Sequence, residues 1–253
     1  MTTRGTRFQV VFEDRFLIVV DKAAGVLTVP TPQGERNTLV DLLERHLQTK
    51  RPGYRPPRTR NTRDRRPARG RFVEIVHRLD RDTSGLLVFA KDPEVRDFLR
   101  AQFQEQSAER IYLAIVAGRV RDDAGTFSSY LATNKGLGRY STRDASRGEL
   151  AVTYFRVLAR GEDATLVEAQ LRTGRRNQIR VHFAEAGYPV LGDPRYGTRR
   201  ATHPQWPPSR LALHASALGV IHPGSGEPVR WESPPPAPFR AFAAKQGWTE
   251  HLR

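Results

Sequence analysis

The densest run of chemically capable side chains lies between residues 77 and 85. There His77, Arg78, Asp80, Arg81, Asp82, Thr83 and Ser84 crowd together and end on Gly85. Apolar residues flank the run, Ile75 and Val76 before it and Leu86 to Ala90 after it. Polar groups squeezed between apolar segments pass through or beside a core, so each must be paired or used. Loops carried on such rigid elements are the usual seat of function, although a salt-bridged turn has the same composition. A second cluster is LRTGRRNQIRVH at 171–182. Arg176 and Arg180 stand four residues apart, as do Gln178 and His182, so on a helix each pair projects from one face. Ile179, Val181 and Phe183 argue against an exposed basic helix end. A buried Arg180 demands an anion, and Asp80 or Asp82 is the candidate.

Several chemistries compete for these residues. Asp80 and Asp82, two apart on an extended chain, can meet the separation of about 5–10 Å between the carboxylates of a glycosidase. The His-Arg-Leu-Asp at 77–80 looks superficially like a kinase catalytic loop, but no glycine-rich loop and no DFG-like metal-binding motif accompanies it. The chain has no cysteine, which excludes disulfides, thiolate metal sites and thiol nucleophiles. Its seven histidines are scattered without metal-ligand spacing. Tyr112 sits in an apolar run, where an aromatic ring is more often core than catalyst. A binding module without catalysis is a further reading.

The elements that must position these residues follow from periodicity and punctuation. Phe8–Glu13 and Phe16–Asp21 read as strands around a Glu13-Asp14-Arg15 turn, with an extended loop after them. Thr38–Leu47 reads as a helix with Leu39, Leu42, Leu43 and Leu47 on one face. Gly85–Ala90 is a continuous apolar run, the pattern of a buried strand. Asp92 and Pro93 supply an N-cap and first-turn proline for a helix that turns Val95, Phe98, Leu99 and Phe103 inward. Tyr112–Ala117, Leu150–Leu158, Ala164–Arg172 and Leu211–Ile221 read as strands. Asn177–Ala186, closed by Gly187, and Pro238–Gln246 read as helices. Strands and helices mix without a βαβ rhythm, which predicts an α+β fold with a largely antiparallel, mixed central sheet and flanking helices and loops.

Charge narrows the partner. Lys+Arg is 42 against 27 for Asp+Glu, a net charge of +15. Only five of the basic residues are lysines, leaving 37 arginines, whose planar forks pair with phosphate and stack on bases. Residues 50–71 carry ten basic residues and one acid, +9 of that excess, with four prolines and almost no large apolar side chains. Such a segment cannot offset its ordering entropy by burial, so it is expected to be a flexible basic insertion that serves as an arm for a phosphate backbone. No run approaches the ~18 apolar residues of a membrane-spanning helix. The amino-terminal residues lack a secretory pattern, so no membrane partner and a cytoplasmic location are expected.

Taken together, these blocks resemble the RluA-type pseudouridine synthases. HRLDRDTSGLLVFAKD at 77–92 is similar to that family's catalytic-aspartate motif, ERIYLAIVAG at 109–118 to its tyrosine motif, and LRTGRRNQIRVHF at 171–183 to its arginine motif. VLGDPRYG at 190–197, RLALHASAL at 210–218 and the opening VVFEDRFLIVVDKAAGVLTVP also match. The blocks run in order across nearly the whole chain apart from the basic insertion, which is longer and more basic than the family's link. The resemblance implies the pseudouridine synthase catalytic fold over residues 1–253 as a single domain, without an N-terminal S4-like domain. It implies isomerisation of uridine to pseudouridine in structured RNA, ribosomal RNA first and transfer RNA second. The reaction needs no cofactor and no metal, and the protein is expected to act as a monomer. Asp80, Tyr112 and Arg180 become the implied catalytic residues. Arg78 becomes the side chain that fills the place of an everted base. His77, Arg81, Thr83, Arg176, Asn177 and Gln178 are the further residues expected to contact substrate or RNA.

Overall fold

The computed structural model describes residues 7–31, 33–50, 59–60, 67–68, 72–208 and 210–252. Strands β1 (Phe8–Glu13) and β2 (Leu17–Lys22) form a hairpin, followed by helix α1 (Leu39–Lys50). Two short strands, β3 (Thr59–Arg60) and β4 (Pro67–Ala68), pair with each other within the basic insertion. The rest of that insertion, and with it the expected flexible arm, lies outside the described residues. After β5 (Glu74–Ile75) and β6 (Ser84–Ala90) comes α2 (Pro93–Gln104). Then β7 (Glu109–Ala117), β8 (Ala124–Thr133), β9 (Arg139–Thr142), β10 (Glu149–Arg160) and β11 (Ala164–Leu171) lead to α3 (Gln178–Glu185). β12 (Leu213–Ile221), β13 (Pro228–Glu232) and α4 (Ala237–Gln246) follow.

Eleven strands share one sheet, in the order β1-β2-β6-β12-β7-β11-β10-β8-β9, with β5 on β6 and β13 on β12. β6 and β12 pair in parallel at His214–Ser84 and Ala215–Gly85. The neighbouring contacts are antiparallel, as in β2–β6 and β7–β12. The expected mixed, largely antiparallel sheet is what the chain builds.

The apolar run of β6 is explained by layers. Leu87 and Phe89 enter the larger core with α1 and α4, while Leu86, Val88 and Ala90 enter a second core with α2. Ile18 and Val20 of β2 face the first core and Leu17 and Val19 the second. A strand covered on both faces has no polar alternation to show. Asp92 caps α2 as its sequence indicates, its Oδ1 accepting from the Val95 N–H at 2.9 Å. The inward face of that helix is narrower than expected: Val95, Leu99 and Gln102 are buried, while Phe98 is 44% exposed at the edge of the stripe.

The strands not anticipated are the polar ones. β8 reads AGTFSSYLAT and lies near the far end of the sheet with most of its residues only partly covered. β13 opens on Pro228, tolerated at the first residue of a strand that pairs only with β12 among the described residues.

Candidate active site

The chain from Val76 to Thr83 crosses between β5 and β6 without regular structure, and its backbone is held from Leu79 to Thr83. Thr28 clamps Leu79 from both sides, donating its hydroxyl to the carbonyl (2.8 Å) and accepting the N–H (3.3 Å). The fully buried Lys22 donates to the carbonyls of Ala23 (3.0 Å), Val26 (2.9 Å) and Arg81 (2.9 Å). The Gly25 N–H reaches the same Arg81 carbonyl at 2.9 Å. Arg210 donates to the Asp82 carbonyl at 3.1 Å and to Ser84 Oγ at 2.8 Å. Ser84 Oγ in turn meets His214 Nδ1 at 2.9 Å, and His214 Nε2 meets the Ser233 carbonyl at 3.1 Å. A carbonyl can only accept, so the His214 proton sits on Nε2 and Nδ1 takes the Ser84 hydroxyl hydrogen. Ser233 closes the series by donating to Asp21 Oδ2 at 2.6 Å. Lys22 keeps its amine so far from water that its pKa falls to about 7, desolvation outweighing the attraction of Asp82 and Asp80.

What this frame leaves to the Asp80 side chain is Arg180, whose Nη1 lies 3.6 Å from Asp80 Oδ2. The guanidinium itself belongs first to another acid. Asp193, with a fully buried carboxylate, accepts from Arg180 Nε at 2.7 Å and Nη2 at 2.8 Å. Asp193 Oδ1 also takes the N–H groups of Arg195 (2.8 Å) and Tyr196 (3.0 Å). Asn177 Oδ1 accepts from Arg180 Nη1 at 2.9 Å, and Asn177 Nδ2 donates to Tyr196 Oη at 3.0 Å. Asn177 manages this from a left-handed backbone position, φ 58°, immediately before α3. The expectation that Asp80 or Asp82 would be the principal partner of Arg180 is therefore corrected. Asp193 is the bidentate partner, Asp80 is a looser second one, and the Asp82 carbonyl is held by Arg210. The missed signal was an aspartate between an apolar pair, Val190-Leu191, and a proline.

Burial pushes the Asp80 carboxyl above the ordinary carboxylate range, and Arg180, Lys22 and Arg176 pull it only part of the way back. Tyr112, on β7, is 7% exposed. Its registered neighbours are Ala169 on β11 and Ala215 on β12, so no bulky cross-strand residue crowds its ring. Burial raises its hydroxyl to about 12, opposed by the Arg110 charge and reinforced by the weaker effect of Asp80. It therefore keeps its proton at neutral pH.

The other residues expected to touch RNA divide into two groups. Arg78 is exposed, and no ion pair forms between it and Asp82 or any other described residue. Arg176 is exposed and donates to the Leu137 carbonyl at 2.7 Å. Arg81 is exposed on a different flank, 3.7 Å from Glu35. His77, Thr83 and Gln178 are instead part of the frame. His77 stacks on Phe103 at 4.5 Å between ring centres and accepts the Val88 N–H at 3.2 Å. Burial, helped by Arg110, lowers its pKa to about 3, so the ring is neutral. Thr83 is 2% exposed and closes a turn onto the Asp80 carbonyl at 3.3 Å. Gln178 is buried with both ends of its amide in use, to Thr173, the Arg175 N–H, the Val152 carbonyl and Thr153.

A family model described as RNA pseudouridylate synthase matches residues 16–185. The ribosomal large subunit pseudouridine synthase D of Pseudomonas aeruginosa is 38% identical over 242 residues, which cover 91% of this chain and 69% of that protein. The protein of the same name from Zymomonas mobilis is 37% identical over 232 residues, 90% of this chain and 69% of its own. Among solved structures, human RNA Pseudouridylate Synthase Domain Containing 4 superposes with a TM-score of 0.70 over 94% of this chain and 92% of that one. At 19% identity, that likeness speaks for the fold alone.

Proposed function

The chain belongs to the RNA pseudouridylate synthase family, an RNA-modifying isomerase by that membership, and from there we propose that it converts uridine to pseudouridine in structured ribosomal RNA with Asp80 as the essential carboxylate. The two relatives above are named for the large ribosomal subunit, which favours ribosomal over transfer RNA. The observation that carries the site assignment is the contrast within one loop. Residues 79 to 82 are tied down through their backbone and Ser84 through its hydroxyl, while the Asp80 carboxylate is left facing the Arg180 guanidinium at 3.6 Å.

The reaction breaks the bond between N1 of uracil and C1′ of ribose and forms one between C5 and C1′. The hydrogen on C5 leaves as a proton and N1 gains one, so no electrons are exchanged. Asp80 as a carboxylate serves this as nucleophile at ribose or base, or as the base that removes a ribose proton. Arg180, planted by Asp193 and Asn177, favours the ionised form that burial opposes. The Tyr112 ring offers a stacking surface for uracil between two alanines, and its protonated hydroxyl is a donor. A stacked uridine must first leave its helix at a cost of a few kcal/mol. Arg78, exposed and two residues from Asp80, fills the gap. Arg176 and Asn177 border the cleft on the α3 side. On this reading the chain works as a cytoplasmic monomer, with residues 1–253 one catalytic domain.

Release of tritium from RNA carrying C5-tritiated uridine tests the proposal. Wild-type protein releases it into water, and Asp80→Asn stays folded and loses at least ~10³-fold of the rate. Wild-type turnover in Asp80→Asn removes the assignment; binding without release leaves a silent RNA-binding protein.

A further inference from the structure

A cavity of about 550 Å³ opens beside the 80–82 loop, lined chiefly by Arg7, Gly25, Val26, Glu35, Arg36 and Arg81. Neither Asp80 nor Arg180 lines it. Its charge is unbalanced. Glu35 Oε2 is already taken by the Thr31 N–H (2.8 Å) and hydroxyl (2.7 Å), and its Oε1 lies 3.7 Å from Arg81. The Arg7 guanidinium makes a single long hydrogen bond among the described residues, to the Asn37 carbonyl at 3.4 Å. Arg36 makes no ion pair or side-chain hydrogen bond with any described residue. Arg7 and Arg36 thus border one concavity with no carboxylate partner among the described residues, its one acid, Glu35, being turned to Thr31 and Arg81.

Part of the lining is bare backbone. Gly25 turns there at φ 82°, and a Cβ on it would meet nothing within 4 Å. That same glycine donates its N–H to the Arg81 carbonyl, where Lys22 Nζ also binds. The cavity wall and the loop presenting Asp80 are therefore one hydrogen-bonded unit, and Arg81 follows Asp80 by a single Cα step of about 3.8 Å. Planar guanidinium forks match phosphate oxygens in pairs. The volume falls in the range of small-ligand sites, about 300–1,000 Å³, sufficient for one nucleotide.

We propose that this cavity is a phosphodiester subsite that holds the RNA backbone adjoining the everted uridine. This rests on the RNA reading above and specifies where the strand runs: from the Asp80 cleft over the crest of the loop to Arg81, Arg36 and Arg7. Arg7 and Arg36 are then positioning residues for RNA, remote from the reacting atoms.

The test compares the full chain with Arg7→Ala/Arg36→Ala and with Arg36→Lys, each checked for folding by its thermal melt. Each phosphate contact contributes about 0.7–0.9 to the slope of log K against log salt for RNA binding. The double alanine variant is expected to reduce that slope by roughly 1.4–1.8, and to raise KM for tritium release far more than it lowers kcat. Arg36→Lys, which keeps the charge, retains most of its share of the slope. A folded double variant with the slope and KM of wild type overturns the proposal. Inorganic phosphate and uridine 5′-monophosphate are titrated in parallel. If either binds at the arginines while the RNA slope stays unchanged, the cavity is a free-anion site and the RNA assignment fails. If wild type binds RNA and never releases tritium, the isomerase reading fails while the slope still reports on the subsite.

Discussion

Arg180 is fixed from three directions, by both oxygens of Asp193 and by Asn177, before it meets Asp80. Removing the Asp193 carboxylate strands a buried cation, so Asp193→Ala is expected to cost about 3–5 kcal/mol of stability and to free the guanidinium from its post. A thermal melt alongside the tritium assay reads both losses. Asp80 is the opposite case. Its folded pKa lies above its unfolded one, so the stability it contributes is present below the unfolded value and lost as pH rises through the folded one. Asp80→Asn should therefore be at least as stable as wild type above that window, a site residue whose burial opposes folding. Activity that needs the carboxylate rises with pH through the elevated pKa, and Arg180→Ala moves the rise to higher pH. An unmoved profile in a folded Arg180→Ala would separate the two residues. Tyr112 is resolved by two substitutions. Phe keeps the ring and removes the hydroxyl, while Leu removes both. If both variants turn over near the wild-type rate, Tyr112 is core and no more.

Between elements, the decisive contact is the parallel junction of β6 and β12. Gly85 lies there at φ 111°, and a Cβ on it would fall 2.2 Å from the Ala215 carbonyl oxygen, inside a backbone that cannot move aside. Gly85→Ala combines this overlap with a conformation that side chains rarely adopt, so a loss of about 3 kcal/mol or more is expected by chemical denaturation. A melt within a degree or two of wild type would show that β12 yields. The same junction sets the loop, since Ser84, one residue away, meets both Arg210 and His214. Sequence pattern located β6 and α2 because their apolar runs are pronounced, and α3 through its four-apart polar pairs and the closing Gly187. It passed over β8, β9 and β13, whose residues are polar because much of their surface remains outside the core.

Across the molecule, charge governs encounter with the substrate. A chain at +15, with +9 of it in residues 50–71, should bind RNA with an affinity that falls steeply with salt. Replacing residues 51–71 with a short Gly/Ser linker is expected to flatten the dependence of log K on log salt if the insertion touches RNA. An unchanged slope would make it a tolerated insertion. Among the described residues, no helix is long and apolar enough to cross a membrane.

Local pattern determined a good deal here. The doubly buried strand, the capped helix, and a polar loop between apolar walls could all be read because each depends on residues adjacent in the chain. Asp80, Tyr112 and Arg180 were nominated by the resemblance of their blocks to a known family, and their roles stand as the proposal made above. What the line of residues could not decide was allegiance among side chains far apart in it. The pairing of Arg180 with Asp193 rather than with Asp80 or Asp82 was of that kind. So was the engagement of His77, Thr83 and Gln178 in hydrogen bonds within the scaffold, as was the convergence of Arg7, Arg36 and Arg81 on one cavity. The reason is physical. Composition tells a buried charge or amide that it must find a partner, but only the folded backbone fixes which of several chemically equivalent partners comes within hydrogen-bonding distance.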